Sequence, residues 1–290
     1  MKRTLLSRVY ELRFYQKNIV WFLMTIMGVL MVLPMWNVIV VSTSSTLAST
    51  QSGVVLWWQA FSLEGYQYVF QITKLARPFM NSLLVTTVGT VLQVLLSSIA
   101  GYVLIHRDLP YCRLMMTFIL ITMMIPGDLT LISIYRLNKS LGLLNSYTGL
   151  ILNGLISGFS ILLMRNYFSS ISYSLAESSR VDGANELFIF ARIYLPISLP
   201  GLATVFFMEY VAKWNSITLP AALLTKESMY TLPLMLKMMI LSTNSVSGVA
   251  QVPNNAIMAA IVISAAPLLL IYVFAQRFLL SGLNLGATKE

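Results

Sequence analysis

Six apolar stretches, each about as long as a bilayer crossing, constrain this chain more than any other feature. A helix rising 1.5 Å per residue needs about 20 apolar residues to cross the hydrocarbon core. Candidates lie at residues 19–41, 79–105, 114–135, 147–164, 199–219 and 256–274. The second contains Gly89, Ser97, Ser98 and Gly101, small residues that permit close helix approach, and the third is interrupted by Pro126-Gly127. With 57% hydrophobic and 10% charged residues, and a mean hydropathy of +0.78, the chain is too apolar for a soluble fold with a polar surface. The expected fold is an all-α membrane protein with six transmembrane helices.

The distribution of basic residues sets the orientation, because cytoplasmic flanks retain Lys and Arg. With the N-terminus inside, twelve fall on the cytoplasmic side: Lys2, Arg3, Arg8, Arg13, Lys17, Arg107, Arg113, Arg165, Arg180, Arg192, Arg277 and Lys289. Six fall outside (Lys74, Arg77, Arg136, Lys139, Lys226, Lys237), and Lys213 lies within a span. Both termini are therefore expected in the cytoplasm, with residues 1–18 and 281–290 as cytoplasmic ends. The transmembrane domain then covers 19–280, with external loops at 42–77 and 225–255. The first apolar run is too long for a signal core and lacks a convincing cleavage site, so it reads as a retained span. Before it, Leu5, Val9 and Leu12 share a helical face among basic residues, which suits either an anionic membrane surface or a solvated anchor.

Several function classes are excluded. The net charge of +9 comes from dispersed residues with no aromatic-interleaved basic face, so nucleic acid is not an expected partner. No phosphate-binding loop, dinucleotide fingerprint or metalloprotease motif occurs. The single histidine, His106, and single cysteine, Cys112, have no neighbours that would make a metal site or a disulfide. A chain without these parts does not hydrolyse ATP by itself and binds no cofactor of its own.

The polar segment 172–196 carries the functional signal. Residues 177–196 read Glu-Ser-Ser-Arg-Val-Asp-Gly-Ala-Asn-Glu-Leu-Phe-Ile-Phe-Ala-Arg-Ile-Tyr-Leu-Pro, placed in water between two apolar spans. Residues 176–181 suit a short helix, Asp182 is expected to cap the following helix through its side-chain oxygen, and Gly183 accepts backbone angles that a Cβ makes costly. Leu187, Phe190 and Ala191 then form an apolar stripe, and Pro196 and Pro200 separate the segment from the next span. A compact elbow of this kind suits a groove on a partner protein.

This segment resembles the coupling motif of bacterial ABC-importer permeases: Glu-Ala-Ala, two residues, Asp-Gly-Ala, then Phe, Ile and Leu-Pro at fixed offsets. Glu177, Asp182, Gly183, Ala184, Phe190, Ile193, Leu195 and Pro196 match, while Ser178 and Ser179 replace the alanines. Trp214-Asn215 and the ending Ala275-Gln276-Arg277-Phe278 extend the likeness to the smaller permease subunit of carbohydrate importers of the maltose type. The resemblance implies the type I importer permease fold in a bacterial inner membrane. It implies a second, distinct permease subunit, two ATP-binding subunits that carry ATP and Mg, and an external solute-binding protein that delivers an oligosaccharide. Glu177 would pair with a basic residue of the ATPase, and residues 225–255 would meet the binding protein.

A second cluster lies in the fifth span. Glu209 and Lys213 are one helical turn apart near the expected midplane, where an unpaired charge costs at least about 2.5 to 3.5 kcal/mol, so they should neutralise each other or face a polar cavity. Trp214 and Asn215 offer an aromatic face and an amide suited to a sugar. A purely structural ion pair between helices is the other reading. Asp128, after the Pro126-Gly127 break, is a further pathway candidate or an external surface residue. Lys213, Lys226 and Lys237 hint at an anionic sugar. An ion-gradient-driven secondary transporter is the rival function, but it calls for inverted repeats and buried acid relays, and no repeat is found.

Overall fold

The structure, a computed structural model, describes residues 14–50, 53–106, 109–244 and 252–287. The amphipathic pattern at Leu5, Val9 and Leu12 lies outside them, as do Arg107, the tail residues 288–290 and part of the 225–255 loop. The side chain of Asp128 is likewise outside the described part. Among the described residues there is no β-sheet, only a single bridge between Ser44 and Phe61.

Two compact units divide the chain. The first holds residues 1–73 and 242–262. It contains α1 (Phe14–Ser42), a 3-10 turn at Ala48–Thr50, α2 (Glu64–Gln71) and the start of a long last helix. Apolar side chains along most of α1 are exposed, Trp21, Phe22, Met24, Leu30 and Met31 among them, whereas Val40 and Val41 at its end are buried. The segment after it is tied by polar contacts: Trp36 Nε1 donates to the Leu56 carbonyl, Asn37 to Val55, and Glu64 accepts both the amide and the hydroxyl of Thr46 at 2.9 Å. Asn255 donates to the Ser44 carbonyl at 3.0 Å, and a Cβ on Gly65 would lie 2.7 Å from the Asn255 carbonyl oxygen.

The second unit, residues 74–241 and 263–290, carries the site. Its elements are α3 (Ala76–Val103), α4 (Cys112–Met124), α5 (Gly127–Ser140), α6 (Tyr147–Asn153), α7 (Gly158–Ser169), α8 (Tyr173–Val181), α9 (Glu186–Ile189), a π-helical turn at Phe190–Tyr194, α10 (Leu199–Trp214), α11 (Thr218–Leu223) and α12 (Leu232–Asn244), with α13 (Asn254–Ala287) running into it. In lipid no hydrophobic driving force holds helices together, so small residues and hydrogen bonds must do it. Accordingly, α3 packs on α7 and α10, and its buried residues include the small and polar Ser97, Ser98 and Gly101. A Cβ added to Gly101 would lie 2.9 Å from the Arg165 amide nitrogen and 3.0 Å from Met164 Cβ.

Among the described residues, three helices are long and apolar enough to cross a membrane on their own: 16–42, 76–103 and 254–278. The other three expected spans are each bent pairs. The α4–α5 pair bends by 102° after Pro126, α6–α7 by 52°, and the segment 186–197 meets α10 at 78°. Counting each pair as one crossing gives up to six spans by length and composition, the fifth of them reaching back to residue 186, earlier than the expected start at 199. Ser146 and Ser157 cap α6 and α7 by accepting from the amides of Gly149 and Ser160, which satisfies backbone donors that a membrane break would otherwise strand.

Candidate functional site

The elbow is built by a Schellman closure of α8. The Gly183 amide donates to the Arg180 carbonyl at 3.0 Å, and the Ala184 amide to the Ser179 carbonyl at 2.9 Å. Gly183 makes this possible at φ +85°, a left-handed conformation that costs a residue with a Cβ about 1–2 kcal/mol. Asp182 closes the end of α8 rather than opening α9. The cap of α9 is Asn185, whose side chain accepts the Phe188 amide at 2.8 Å, so the expected capping role of Asp182 is corrected. The reason is chain economy: the left-handed glycine puts Asp182 inside the C-terminal closure, and the next extended residue with a short polar side chain is Asn185.

The apolar stripe is also redistributed. Phe190 and Ala184 pack inward on the cluster of Tyr102, Phe168, Ile189 and Tyr194, so they do not face a partner. The Phe190 ring lies against Tyr102, with ring centroids 5.1 Å apart, and a π-turn at Phe190–Tyr194 follows it. Leu187 and Ala191 of the expected stripe are exposed, and with them Val181 and Phe188; Val181, Leu187 and Phe188 are exposed by 87%, 74% and 52%. Glu177, Ser178 and Asp182 are exposed beside them, Gly183 lies at the tip, and Pro196 is exposed before the 78° bend at Ser198. Ser179 returns its hydroxyl to the Leu175 carbonyl at 2.8 Å.

Behind the elbow stands Glu186, which the sequence reading passed over. Its carboxylate accepts Arg180 Nε at 2.7 Å and the Tyr102 hydroxyl at 2.6 Å. The Arg180 bond is the main reason its carboxyl is held below the usual glutamate range, and the same bond pushes the Arg180 guanidinium up. Arg180 and Glu186 are six residues apart across the Gly183 turn, a spacing at which no helical rule would pair them.

In the fifth span, Glu209 and Lys213 do not pair with each other. Glu209 accepts the hydroxyl of Ser160, and Lys213 Nζ donates to the Gly154 carbonyl at 2.6 Å. The break between α6 and α7 frees that carbonyl, and a fixed acceptor there competes successfully with a carboxylate one turn away on the same helix. Lys213 lines a small, mostly apolar cleft of about 70 Å³, where Val85, Leu150, Ile151 and Leu219 stand beside Ser82 and Thr86. That volume holds a few waters and is well below the roughly 300–1,000 Å³ of a typical small-molecule pocket. Trp214 is only 1% exposed, stacked on Tyr210, set edge-on to Phe79 and donating to the Ser264 carbonyl. Its rings meet neighbours, so the expected aromatic sugar platform is not formed here. Asn215 is exposed, with its amide bonded to the Val211 carbonyl of its own helix. Among the described residues, no cluster of His, Cys, Asp or Glu could hold a metal ion.

Comparison with known proteins places this geometry. A family model described as the binding-protein-dependent transport system inner membrane component matches residues 93–284. The chain is 33% identical over 266 residues to the polygalacturonan/rhamnogalacturonan transport system permease protein YtcP of Bacillus subtilis, covering 89% of this chain and 92% of that protein. It is 27% identical to the arabinooligosaccharides transport system permease protein AraQ of Halalkalibacterium halodurans, covering 89% and 91%. A chain of a bacterial ABC transporter involved in import of the acidic polysaccharide alginate matches it with a TM-score of 0.82 at 27% identity, over 91% of this chain and 96% of that one. The elbow, the bent spans and these matches agree that this chain belongs to the family of inner membrane components of binding-protein-dependent transport systems.

Proposed function

We propose that this chain is a permease subunit of an ATP-driven importer that takes an acidic oligosaccharide from an external solute-binding protein and releases it inside by alternating access. The observation that carries the proposal is the elbow: a helix closed by a left-handed glycine, presenting Val181, Leu187 and Phe188 bare to solvent next to Glu177 and Asp182. Exposed apolar residues rimmed by charge mark a docking surface. In this account the segment 172–196 faces the cytoplasm, and two ATP-binding subunits holding ATP and Mg dock on this elbow and on that of a second, distinct permease. Glu177 pairs with a basic residue in the ATPase groove, and both termini share that side of the membrane.

Within the proposal, closure of the ATPase pair moves the elbows, and the spans rock about the bent pairs. The sugar path forms against the second permease. The cargo is acidic in this account because one similar protein is a polygalacturonan/rhamnogalacturonan permease and another belongs to a transporter that imports the acidic polysaccharide alginate, and because the Lys213 ammonium is bound to the Gly154 carbonyl and not to the Glu209 carboxylate. Asp128 and Asn215 remain pathway candidates, while Trp214 supports α10 from behind. The chain itself makes and breaks no covalent bond. The test is ATPase stimulation of the reconstituted complex by its binding protein loaded with oligogalacturonate or with a neutral arabino-oligosaccharide. Stimulation by the acidic sugar supports the account. Stimulation by the neutral sugar alone refutes the acidic assignment, and hydrolysis indifferent to any loaded binding protein refutes the importer assignment.

A further inference from the structure

The Glu186 carboxylate gathers donors from two other elements. Arg180 on α8 reaches it at 2.7 and 3.4 Å, the Tyr102 hydroxyl at the end of α3 at 2.6 Å, and His106 Nε2 stands 3.5 Å away. From that joint α3 runs the length of the unit. At its other end Asn81 donates to the carbonyls of Ser228 and Tyr230, and Ser82 accepts the Leu232 amide at 2.7 Å. Halfway along, a Cβ on Gly89 would lie 3.5 Å from the Lys213 side chain. One continuous helix therefore joins the elbow, the Lys213 cavity and the 228–232 segment.

We infer that Glu186 is a positioning residue that fastens the elbow helix α8 to α3, so that movement of the elbow is delivered along α3 instead of being absorbed by the Gly183 turn. The role takes the elbow as the ATPase contact proposed above. Tyr102 makes the link specific. Its ring already packs against Phe168, Phe190 and Tyr194 at centroid distances of 5.0 to 6.3 Å, and a phenylalanine would fill the same place. Only the hydroxyl depends on Glu186. Tyr102→Phe thus removes the link with little change in packing, while Glu186→Gln keeps the shape and removes the charge that holds Arg180.

The test uses the whole complex in nanodiscs, with Cys112→Ser and a reporter cysteine at the exposed Met80 near the far end of α3. The probe is ATP with vanadate, and the readout is the rate of labelling by a water-soluble maleimide before and after trapping. In the parent, trapping changes the Met80→Cys labelling rate. In Tyr102→Phe and in Glu186→Gln that change shrinks by about tenfold or more, the scale of one charge-assisted hydrogen bond. The double variant falls no further, because both changes cut one connection, and the ATPase subunits still copurify. An unchanged response in the single variants, multiplicative losses in the double, or a parent with no response overturns the link. Gly183→Val separates the two levels: if it releases the ATPase while Glu186→Gln and Tyr102→Phe leave the α3 response intact, docking stands and the link falls. If Gly183→Val changes neither ATPase retention nor coupling, the elbow contact itself falls.

Discussion

Replacing Gly183 with Val isolates the elbow with little steric ambiguity. Nothing lies within 4 Å of the position a Cβ would occupy, so the substitution meets no clash. Its cost is conformational: φ is +85°, where a Cβ costs about 1–2 kcal/mol and a β-branched residue more. The chain either bears that strain or leaves the left-handed region and gives up the Gly183→Arg180 and Ala184→Ser179 bonds, worth about 1 kcal/mol each. Either way the closed elbow is depopulated by a factor of about 5 to 30. The assays are ATPase copurification and ATP hydrolysed per sugar transported, and both should deteriorate by roughly that factor. Gly183→Asn, which tolerates the left-handed region, should lose much less. The control is Gly142→Val, at φ +68° with nothing within 4 Å, on the turn after α5. It imposes the same kind of strain away from the elbow, so coupling should survive it. Unchanged coupling in Gly183→Val, or equal losses in both valine variants, would refute the reasoning.

Three further outcomes are expected. Gly101→Val pushes α3 against α7 at the Arg165 amide and should cost about 1–3 kcal/mol, read as a lowered Tm in detergent, whereas Gly28→Val, with nothing within 4 Å, should leave Tm unchanged; equal effects would contradict the packing described. Lys213→Met strands the Gly154 carbonyl, lowering stability by about 1–3 kcal/mol, and should abolish any preference for oligogalacturonate over neutral sugars; a preference that persists would remove Lys213 from the path. The Thr46–Glu64 clip depends on a carboxylate whose pKa in the fold is lowered, chiefly by the Thr46 amide. Its contribution is therefore complete above the unfolded value and is lost only as pH falls through the lowered folded value. Hydrogen exchange should show the Thr46 amide still protected near pH 4.3, about where a free glutamate is half protonated, and a protection midpoint at or above that pH would contradict the clip.

The apolar stretches were legible because hydropathy marks them, and one bend falls at the Pro126-Gly127 interruption; the 52° bend between Asn153 and Gly158 has no proline to mark it. Gly183 was legible too, since its sequence context demands a turn. Finer assignments failed where tertiary partners competed with local ones. Asp182 and Asn185 are both competent caps, and only the Schellman closure decides between them. Phe190 has helical spacing with Leu187, but its ring finds Tyr102 and Phe168 on distant helices, contacts that the local residue pattern does not mark. Glu209 and Lys213 have ideal pairing distance along a helix, yet Ser160 and the Gly154 carbonyl, each about fifty residues or more away in sequence, claim them first. Glu186 was missed for the same reason: Tyr102 lies 84 residues earlier.

The account's central claim is that transport is driven by ATP through the elbow and fed by a binding protein. The most direct measurement is uptake of labelled oligogalacturonate into sealed proteoliposomes holding the complete complex, with ATP supplied on the ATPase side and loaded binding protein on the other. Uptake should require both, fall by about 5- to 30-fold in the Gly183→Val complex, and ignore imposed proton or sodium gradients. Uptake that follows an ion gradient without ATP hydrolysis would contradict it.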